Sequence, residues 1–258
     1  MNGAMQLVIQ QSIRLARPLA TGLLDLLAPH FCAACGLESH RNLGLCEACE
    51  SDLPWLPAAC GQCAIPLPGD NPLCGRCLKN PPAFDTTVPA ALFVEPVSGF
   101  VHGFKDNGRF HLGVVLVELL AQSVADHIGE HGPPDLVIPM PLHWSRRWRR
   151  GFNQAALLAG GLSRHSLLRD LKLTVDDRLC KRRRATPSQR ALSAVERAGN
   201  LAGAFECRHR VEGQRVAIVD DVVTTGASAD ALARVLKARG AEWVEVWCCA
   251  RTPSTRHR

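Results

Sequence analysis

The stretch "VAIVDDVVTTGAS" (residues 216–228) drives four apolar residues straight into two adjacent carboxylates, Asp220 and Asp221. Val222 and Val223 follow, then Thr224, Thr225, Gly226, Ala227 and Ser228. Carboxylates accept hydrogen bonds and suit the vicinal hydroxyls of a sugar. A turn that opens a helix offers unpaired backbone N–H groups and the positive end of the helix dipole, which suit a phosphate. Gly226 lets the backbone come close, and the threonine hydroxyls add donors. A diol beside a phosphate describes a ribose 5-phosphate. The plainer reading, a strand ending in solvated acids before a helix cap, leaves the repulsion between neighbouring acids uncompensated. Other phosphate loops fit worse. No Gly-x-x-x-x-Gly-Lys-Ser/Thr occurs, and no Gly-x-Gly-x-x-Gly opens a strand–helix unit.

A second chemistry is written in cysteine. Of twelve cysteines, eight form four Cys-x-x-Cys pairs: Cys32/Cys35, Cys46/Cys49, Cys60/Cys63 and Cys74/Cys77. Ten residues separate each pair from the next. Two such knuckles supply the four thiolates of a tetrahedral Zn²⁺ site, so the array predicts two structural zinc ions. A redox or iron–sulfur site is the competing reading. Sequential pairing closes shorter loops than nested pairing and is the expectation, although the even spacing permits both. Four-thiolate sites have no open position and are assigned no catalysis. Cys180, Cys207, Cys248 and Cys249 read as ordinary buried or half-buried residues.

Positive charge is clumped. "HWSRRWRRGFNQ" (143–154) sets Arg146, Arg147, Arg149 and Arg150 beside Trp144 and Trp148, and "KRRRATPSQR" (181–190) includes Arg182 and Arg184. Arginines clamp pyrophosphate oxygens bidentately. Arginine interleaved with aromatics also suits single-stranded nucleic acid, whose bases stack on rings. A solvated charge run, or tryptophans serving as core anchors, is the bland alternative. Net charge is +6, with five Lys/Arg against seven Asp/Glu in residues 1–85 and 25 against 17 in the remainder. Loaded with zinc, the N-terminal portion becomes still more acidic, so an anionic partner belongs to the C-terminal portion.

Positioning these groups requires a scaffold, and 258 residues suffice for a core without disulfides. "NPPAFDTTVPA" (80–90) reads as a Pro-rich junction. Beyond it strand and helix patterns alternate. Strands are expected at 90–94, 135–141, 215–221 and 242–250, with a short one in "LTVDDRL". Helices are expected at 98–105, 109–127, from Asn153 to about His165, in "SAVERAGNL", and at 227–239. That alternation predicts an α/β fold with a parallel sheet and helices on both faces. Ligands of such sheets bind beyond the carboxyl ends of the strands, where Asp220 and Asp221 fall. Residues 5–27 read as an amphipathic helix that Pro18 kinks or divides. No apolar run reaches the roughly 18 residues of a membrane span, and no secretory signal is evident. A cytoplasmic location is the expectation.

Taken with "HGFKDNGR" (102–109), "RRWRRGFNQA" (146–155) and "RATPSQRALSAVERAGNLAGAF" (184–205), the 216–228 stretch resembles the phosphoribosyl-pyrophosphate (PRPP) motif of type I phosphoribosyltransferases. Nearly everything after about residue 20 resembles the competence protein F (ComF) family, which couples a double zinc ribbon to such a domain. The resemblance implies an N-terminal helix (1–28), a double zinc ribbon (29–82), a phosphoribosyltransferase-like domain (86–252) and a tail (253–258). It implies that Asp220 and Asp221 bind ribose hydroxyls; from that place beside the ribose either acid is also a candidate catalytic base. Thr224, Thr225, Gly226, Ala227 and Ser228 would bind the 5′-phosphate, Val222 and Val223 would complete the PRPP-binding segment, and "PMPLHWSRR" after "DLVI" would grip the pyrophosphate. Lys105 and the arginines at 146, 147, 149, 150, 182 and 184 are the anion-binding or nucleic-acid candidates. Mg²⁺ would accompany PRPP. The implied activity is pentosyl transfer linked to DNA uptake. The alternative is a non-enzymatic adaptor for single-stranded DNA on the same scaffold, working with uptake proteins. A glutamine-dependent amidophosphoribosyltransferase is not expected, since the first cysteine, Cys32, falls in the zinc array.

Overall fold

The computed structural model describes residues 31–39, 44–69, 71–183 and 203–253. The chain forms two compact units, one ending at Asp52 and one beginning at Leu53. The expected helix at 5–27, the expected helix at 193–201, Arg184 and residues 254–258 lie outside the described residues.

In the first unit, the backbone folds tightly around Cys32. Cys32 N–H donates to Leu37 O, Gly36 N–H donates to Cys32 O, and Gly36 takes a left-handed φ of 73°. Helix α1 (Glu47–Ser51) begins at Cys46, so its first turn carries Cys49.

The second unit opens with the other cysteine group, which ends in helix α2 (Gly75–Lys79). The body follows as strand β1 (Thr86–Leu92), helices α3 (Val97–Asn107) and α4 (Phe110–His131), strand β2 (Leu136–Pro139), and helices α5 (Trp144–Arg150) and α6 (Gln154–Leu162). A two-stranded antiparallel ribbon, β3 (Cys180–Arg182) and β4 (Phe205–Cys207), comes next. Strand β5 (Arg215–Val223), helix α7 (Ala227–Ala238) and strand β6 (Trp243–Arg251) complete it. The four main strands form one parallel sheet in the order β1-β6-β5-β2. The parallel sheet with helices is therefore as expected, and the sequence motifs sit where parallel strands end.

Each element has a local cause. In the central strands β5 and β6, runs of Val, Ile and Ala are buried because both faces of the sheet are covered. Alternation sends Val216 and Ile218 to one face, where α7 and the second cysteine group pack, and Ala217 and Val219 to the other, where α4 and α6 pack. β1 starts four residues earlier than the sequence suggested. The "DTTVP" segment looked like junction, but Pro89 is tolerated because β1 is an edge strand. The "LTVDDRL" strand reduces to a single bridge between Val175 and Val137. Helix α5 and the β3–β4 ribbon had no counterpart in the periodicity.

Among the described residues, α4 is long and apolar enough to cross a membrane by length and composition. Leu112, Val115, Leu116, Leu119, Leu120, Val124 and Ile128 are instead buried inside the protein. Each such burial gains about 1.5–3 kcal/mol against exposure. α4 also seats α3 through reciprocal glycines. Gly103 faces Leu112, and a Cβ on Gly113 would lie 2.7 Å from Phe104. That close approach brings Lys105 to the sheet's carboxyl edge.

The cysteines of the second group share one core with Phe84, Ile218, Leu232 and Val246. That shared core places the second cysteine group in the compact unit that begins at Leu53.

Candidate functional site

The carboxyl edge of the sheet opens into a cavity of about 750 Å³. Its floor is Asp220 to Ala229, from the end of β5 into α7. Met140, Pro141 and Leu142, following β2, line one side together with Arg150, Asn153 and Gln154. Phe93, His102, Lys105 and Asp106 line the other, and Arg182 reaches it from the ribbon. The structure thus gathers the acid pair, all seven residues from Val222 to Ser228, Lys105, Arg150 and Arg182 at one place. Arg146, Arg147 and Arg149 lie on α5. Trp144 and Trp148, on the same helix, are 72 % and 87 % exposed. Neither tryptophan is a core anchor, and neither lines the cavity.

Adjacent strand residues point to opposite faces, so the two acids meet different surroundings. Asp221 is buried and turns toward the α3 and α6 side. Its Oδ2 receives Lys105 Nζ at 2.7 Å and Gln154 Nε2 at 3.1 Å, while Oδ1 accepts from Val222 N–H at 2.9 Å. Burial pushes the Asp221 carboxyl up, but Lys105 and these donors outweigh it and hold the group below the usual range. Asp220 is half-buried and accepts from Asp221 N–H at 2.9 Å. Enclosure, then the charge of Asp221, push Asp220 up to about 8 from its ordinary 3.8. The surroundings thus favour the ionised form of Asp221 and the protonated form of Asp220.

That proton has a stability consequence. Between about pH 4 and 8 the folded chain binds a proton that the unfolded chain releases, so this group's contribution to stability falls as pH rises through that window. Asp220→Asn removes the cost and can retain the bond from Asp221 N–H. The variant should melt higher than wild type at pH 8, by about 2 kcal/mol after allowance for the open cavity, and match it near pH 4. Thermal melts across pH read this directly. A constant difference between the two proteins would contradict it.

The loop after β5 takes its shape from Gly226, whose φ of 77° is left-handed and rarely adopted by other residues. A Cβ there would also lie 3.5 Å from Phe84. Gly226 caps α7, Asp230 N–H donates to Gly226 O, and Ala227 N–H leans on Thr225 Oγ1 at 3.4 Å. The first-turn N–H groups of this 12-residue helix line the cavity.

Three contributors were not singled out in the sequence. Gln154, on the cavity wall, holds Asp221, and its Oε1 is buried without a hydrogen-bond partner among the described residues. Its signal was weak: Asn153 caps α6 through its side chain, which fixes the next residue inward. Arg76, exposed inside a Cys-x-x-Cys pair, donates to Thr225 O at 2.7 Å. Arg251, 1 % exposed, donates to Cys63 O, Val223 O, Thr224 O and Thr252 O. An arginine ending an otherwise apolar strand was the available clue.

The two cysteine groups assemble sequentially. Cys32, Cys35, Cys46 and Cys49 form one, and Cys60, Cys63, Cys74 and Cys77 the other, each with its sulfurs within 4.8 Å of one another. Four thiols so placed fit a tetrahedral zinc ion. Backbone N–H groups aim at sulfur, as thiolates require: Cys74 N–H at Cys60 Sγ (3.3 Å) and Cys77 N–H at Cys74 Sγ (3.4 Å). Burial raises the Cys60 thiol, but such N–H donors outweigh it and bring it down to about 7. The second group is wholly buried, whereas Cys35 of the first is exposed. Cys180 and Cys207, isolated in sequence, lie opposite each other across the ribbon as free buried thiols, and Cys248 and Cys249 are buried in β6.

Comparison with known proteins agrees with this anatomy. Residues 23–78 match the double zinc ribbon domain and residues 149–258 the phosphoribosyl transferase domain. The chain is 37 % identical over 213 residues to competence protein F of Haemophilus influenzae, covering 81 % of this chain and 90 % of that protein. It is 38 % identical over 177 residues to the DNA utilization protein YhgH of Escherichia coli K12, covering 68 % and 76 %. A purine phosphoribosyltransferase structure from Pyrococcus horikoshii matches at 22 % identity and a TM-score of 0.34, over 55 % of this chain and 78 % of that one. The zinc-ribbon spacing, the acid pair with its loop and the extent of identity place this chain in the competence protein F/YhgH family, a double zinc ribbon joined to a phosphoribosyltransferase domain.

Proposed function

We propose that the cavity binds PRPP and that the chain transfers its phosphoribosyl group in the service of DNA uptake or utilisation, the roles in its relatives' names. The observation that carries this reading is the convergence on one cavity of the acid pair, the first turn of α7, and the cations Lys105, Arg150 and Arg182. The 5′-phosphate would sit on residues 224–228. The ribose hydroxyls would meet Asp220 and Asp221. The pyrophosphate would lie along Met140–Leu142 toward Arg150. Hard carboxylate oxygens suit Mg²⁺, which Asp220 and Asp221 would hold directly or through water. Bound there, the ion supplies charge stabilisation for the departing pyrophosphate. In the transfer itself, an acceptor's lone pair forms the new bond to the anomeric carbon. The carbon–oxygen bond to pyrophosphate breaks, and its electron pair leaves with pyrophosphate. Lys105 holds Asp221 ionised in the meantime.

Calorimetric titration of PRPP with Mg²⁺ tests the reading. Wild type should bind one equivalent, and Asp221→Ala should bind about 100-fold more weakly, since a charged hydrogen-bonding partner of about 2–3 kcal/mol is lost. Equal or absent binding in both proteins would reject it.

A second reading, single-stranded DNA binding, rests on α5, where Trp144 and Trp148 stand exposed among four arginines. The same two proteins separate the readings. DNA held by α5 binds equally to wild type and Asp221→Ala, with an affinity that falls steeply with salt.

A further inference from the structure

The second cysteine group is tied to the phosphate loop by two arginines. Arg76 sits between ligands Cys74 and Cys77 and donates its Nη1 to Thr225 O at 2.7 Å. Its Nη2 lies 3.8 Å from where a Cβ on Gly226 would be. Arg251 links the two from below. Nε donates to the carbonyl of Cys63 at 2.7 Å, and Nη1 donates to Thr224 O at 2.6 Å and Val223 O at 3.1 Å. Gln62, between Cys60 and Cys63, adds a bond from Nε2 to Phe84 O at 3.0 Å, and the Phe84 ring abuts Gly226. The carbonyls of Val223, Thr224 and Thr225 thus each accept from Arg76 or Arg251.

Charge reinforces the geometry. The guanidinium of Arg251 is 1 % exposed, and among the described residues its acceptors are all backbone carbonyls. A buried cation requires compensating negative charge. Four thiolates around one Zn²⁺ carry a net charge of about −2, and they surround the residue whose carbonyl Arg251 binds. The metal that closes Cys60, Cys63, Cys74 and Cys77 therefore fixes both the position and the charge balance of the two arginines that hold residues 223–225.

We infer that Arg76 and Arg251 are positioning residues that couple zinc at the second cysteine group to phosphate at the Thr224–Ser228 loop, so that each ligand tightens the binding of the other. This rests on the proposed phosphate site. Coupling of binding energies is reciprocal, which gives two independent readouts. Arg76 is exposed, so its replacement spares the core.

The test uses the full-length, zinc-loaded protein and ribose 5-phosphate as probe. Arg76→Ala should bind ribose 5-phosphate about tenfold more weakly, with two zinc ions per chain and an unchanged melting temperature. Arg76→Lys, which keeps a donor, should recover most of the loss. In wild type, saturating ribose 5-phosphate should raise the affinity of one of the two zinc ions about tenfold in competition with a chelator, and in Arg76→Ala it should not. Ribose 5-phosphate affinities that are equal in wild type and Arg76→Ala overturn the inference alone. So does zinc affinity in wild type that ignores the sugar phosphate. Failure of wild type to bind ribose 5-phosphate at all overturns the phosphate site, and the inference with it.

Discussion

Cys77→Ser is expected to reduce the zinc content from two ions per chain to one and to abolish cooperative melting of the second unit near physiological temperature. The comparison that gives this meaning is Cys49→Ser, which should also cost one zinc ion yet leave the main unfolding transition within a few degrees of wild type. The asymmetry follows from where the two groups lie. Cys60, Cys63, Cys74 and Cys77 are all buried and belong to the core that contains Phe84, Ile218, Leu232 and Val246. Cys35, Cys46 and Cys49 are exposed or half-buried, and the first group belongs to the other compact unit. Structural zinc contributes about 10–16 kcal/mol to folding in isolated zinc-finger peptides. Even part of that rivals the roughly 5–15 kcal/mol net stability of a domain. Serine is a poor zinc ligand at neutral pH, and at position 77 its hydroxyl would be buried among sulfurs. Metal analysis and circular-dichroism melts of the purified variants check both halves. A Cys77→Ser protein that melts with wild type would show that the sheet does not need this metal.

That difference between the two groups was invisible in the sequence, where all four Cys-x-x-Cys pairs have the same spacing. Spacing reports which thiols are able to share an ion, and the sequential pairing it favoured is the one found. Burial depends on what packs outside the ribbon, and the core that Cys60–Cys77 share with Phe84 draws many of its members from β5, α7 and β6, more than 130 positions later. The main strands were legible for a local reason. A central parallel strand is apolar on both faces, so "RVAIV" and "EWVEVWCCA" announce themselves without any knowledge of neighbours. The edge strand β1 was misjudged at its start because Pro89 looks like punctuation until the strand is known to be an edge. Helix α5 escaped periodicity because "WSRRWRR" has no apolar face to bury, as the exposure of both tryptophans makes plain. At the site, the acid pair and the Thr-Thr-Gly turn carry their chemistry in their own side chains and backbone, so they were readable. Gln154, Arg76 and Arg251 act by reaching distant backbone or carboxylate groups, and nothing local marks such a reach.

Arg251→Met tests the most consequential of these long reaches. Methionine fills much of the volume of the arginine stem without its charge or donors. The carbonyls of Cys63, Val223, Thr224 and Thr252 would each lose a charged donor, with Val223 O keeping Thr252 N–H at 3.0 Å and exposed Thr224 open to water. A buried acceptor left unsatisfied costs about 1–3 kcal/mol; Cys63 O bears that cost in full and the water-reachable carbonyls less, so a destabilisation of about 3 kcal/mol is expected in urea unfolding. Losses of that size come from a short list of causes, of which a broken buried network is one. A loss below about 1 kcal/mol would mean that the four carbonyls find other donors and that the arginine is dispensable to the fold. Arg251→Lys divides the effect between charge and shape. Lysine restores the cation, but its ammonium is a compact point charge that lacks the planar fork joining Cys63 to Val223 and Thr224. If the lysine variant remains nearly as unstable as the methionine one, the planar fork accounts for the stability. If it returns most of the way to wild type, compensation of the thiolate charge is the larger part.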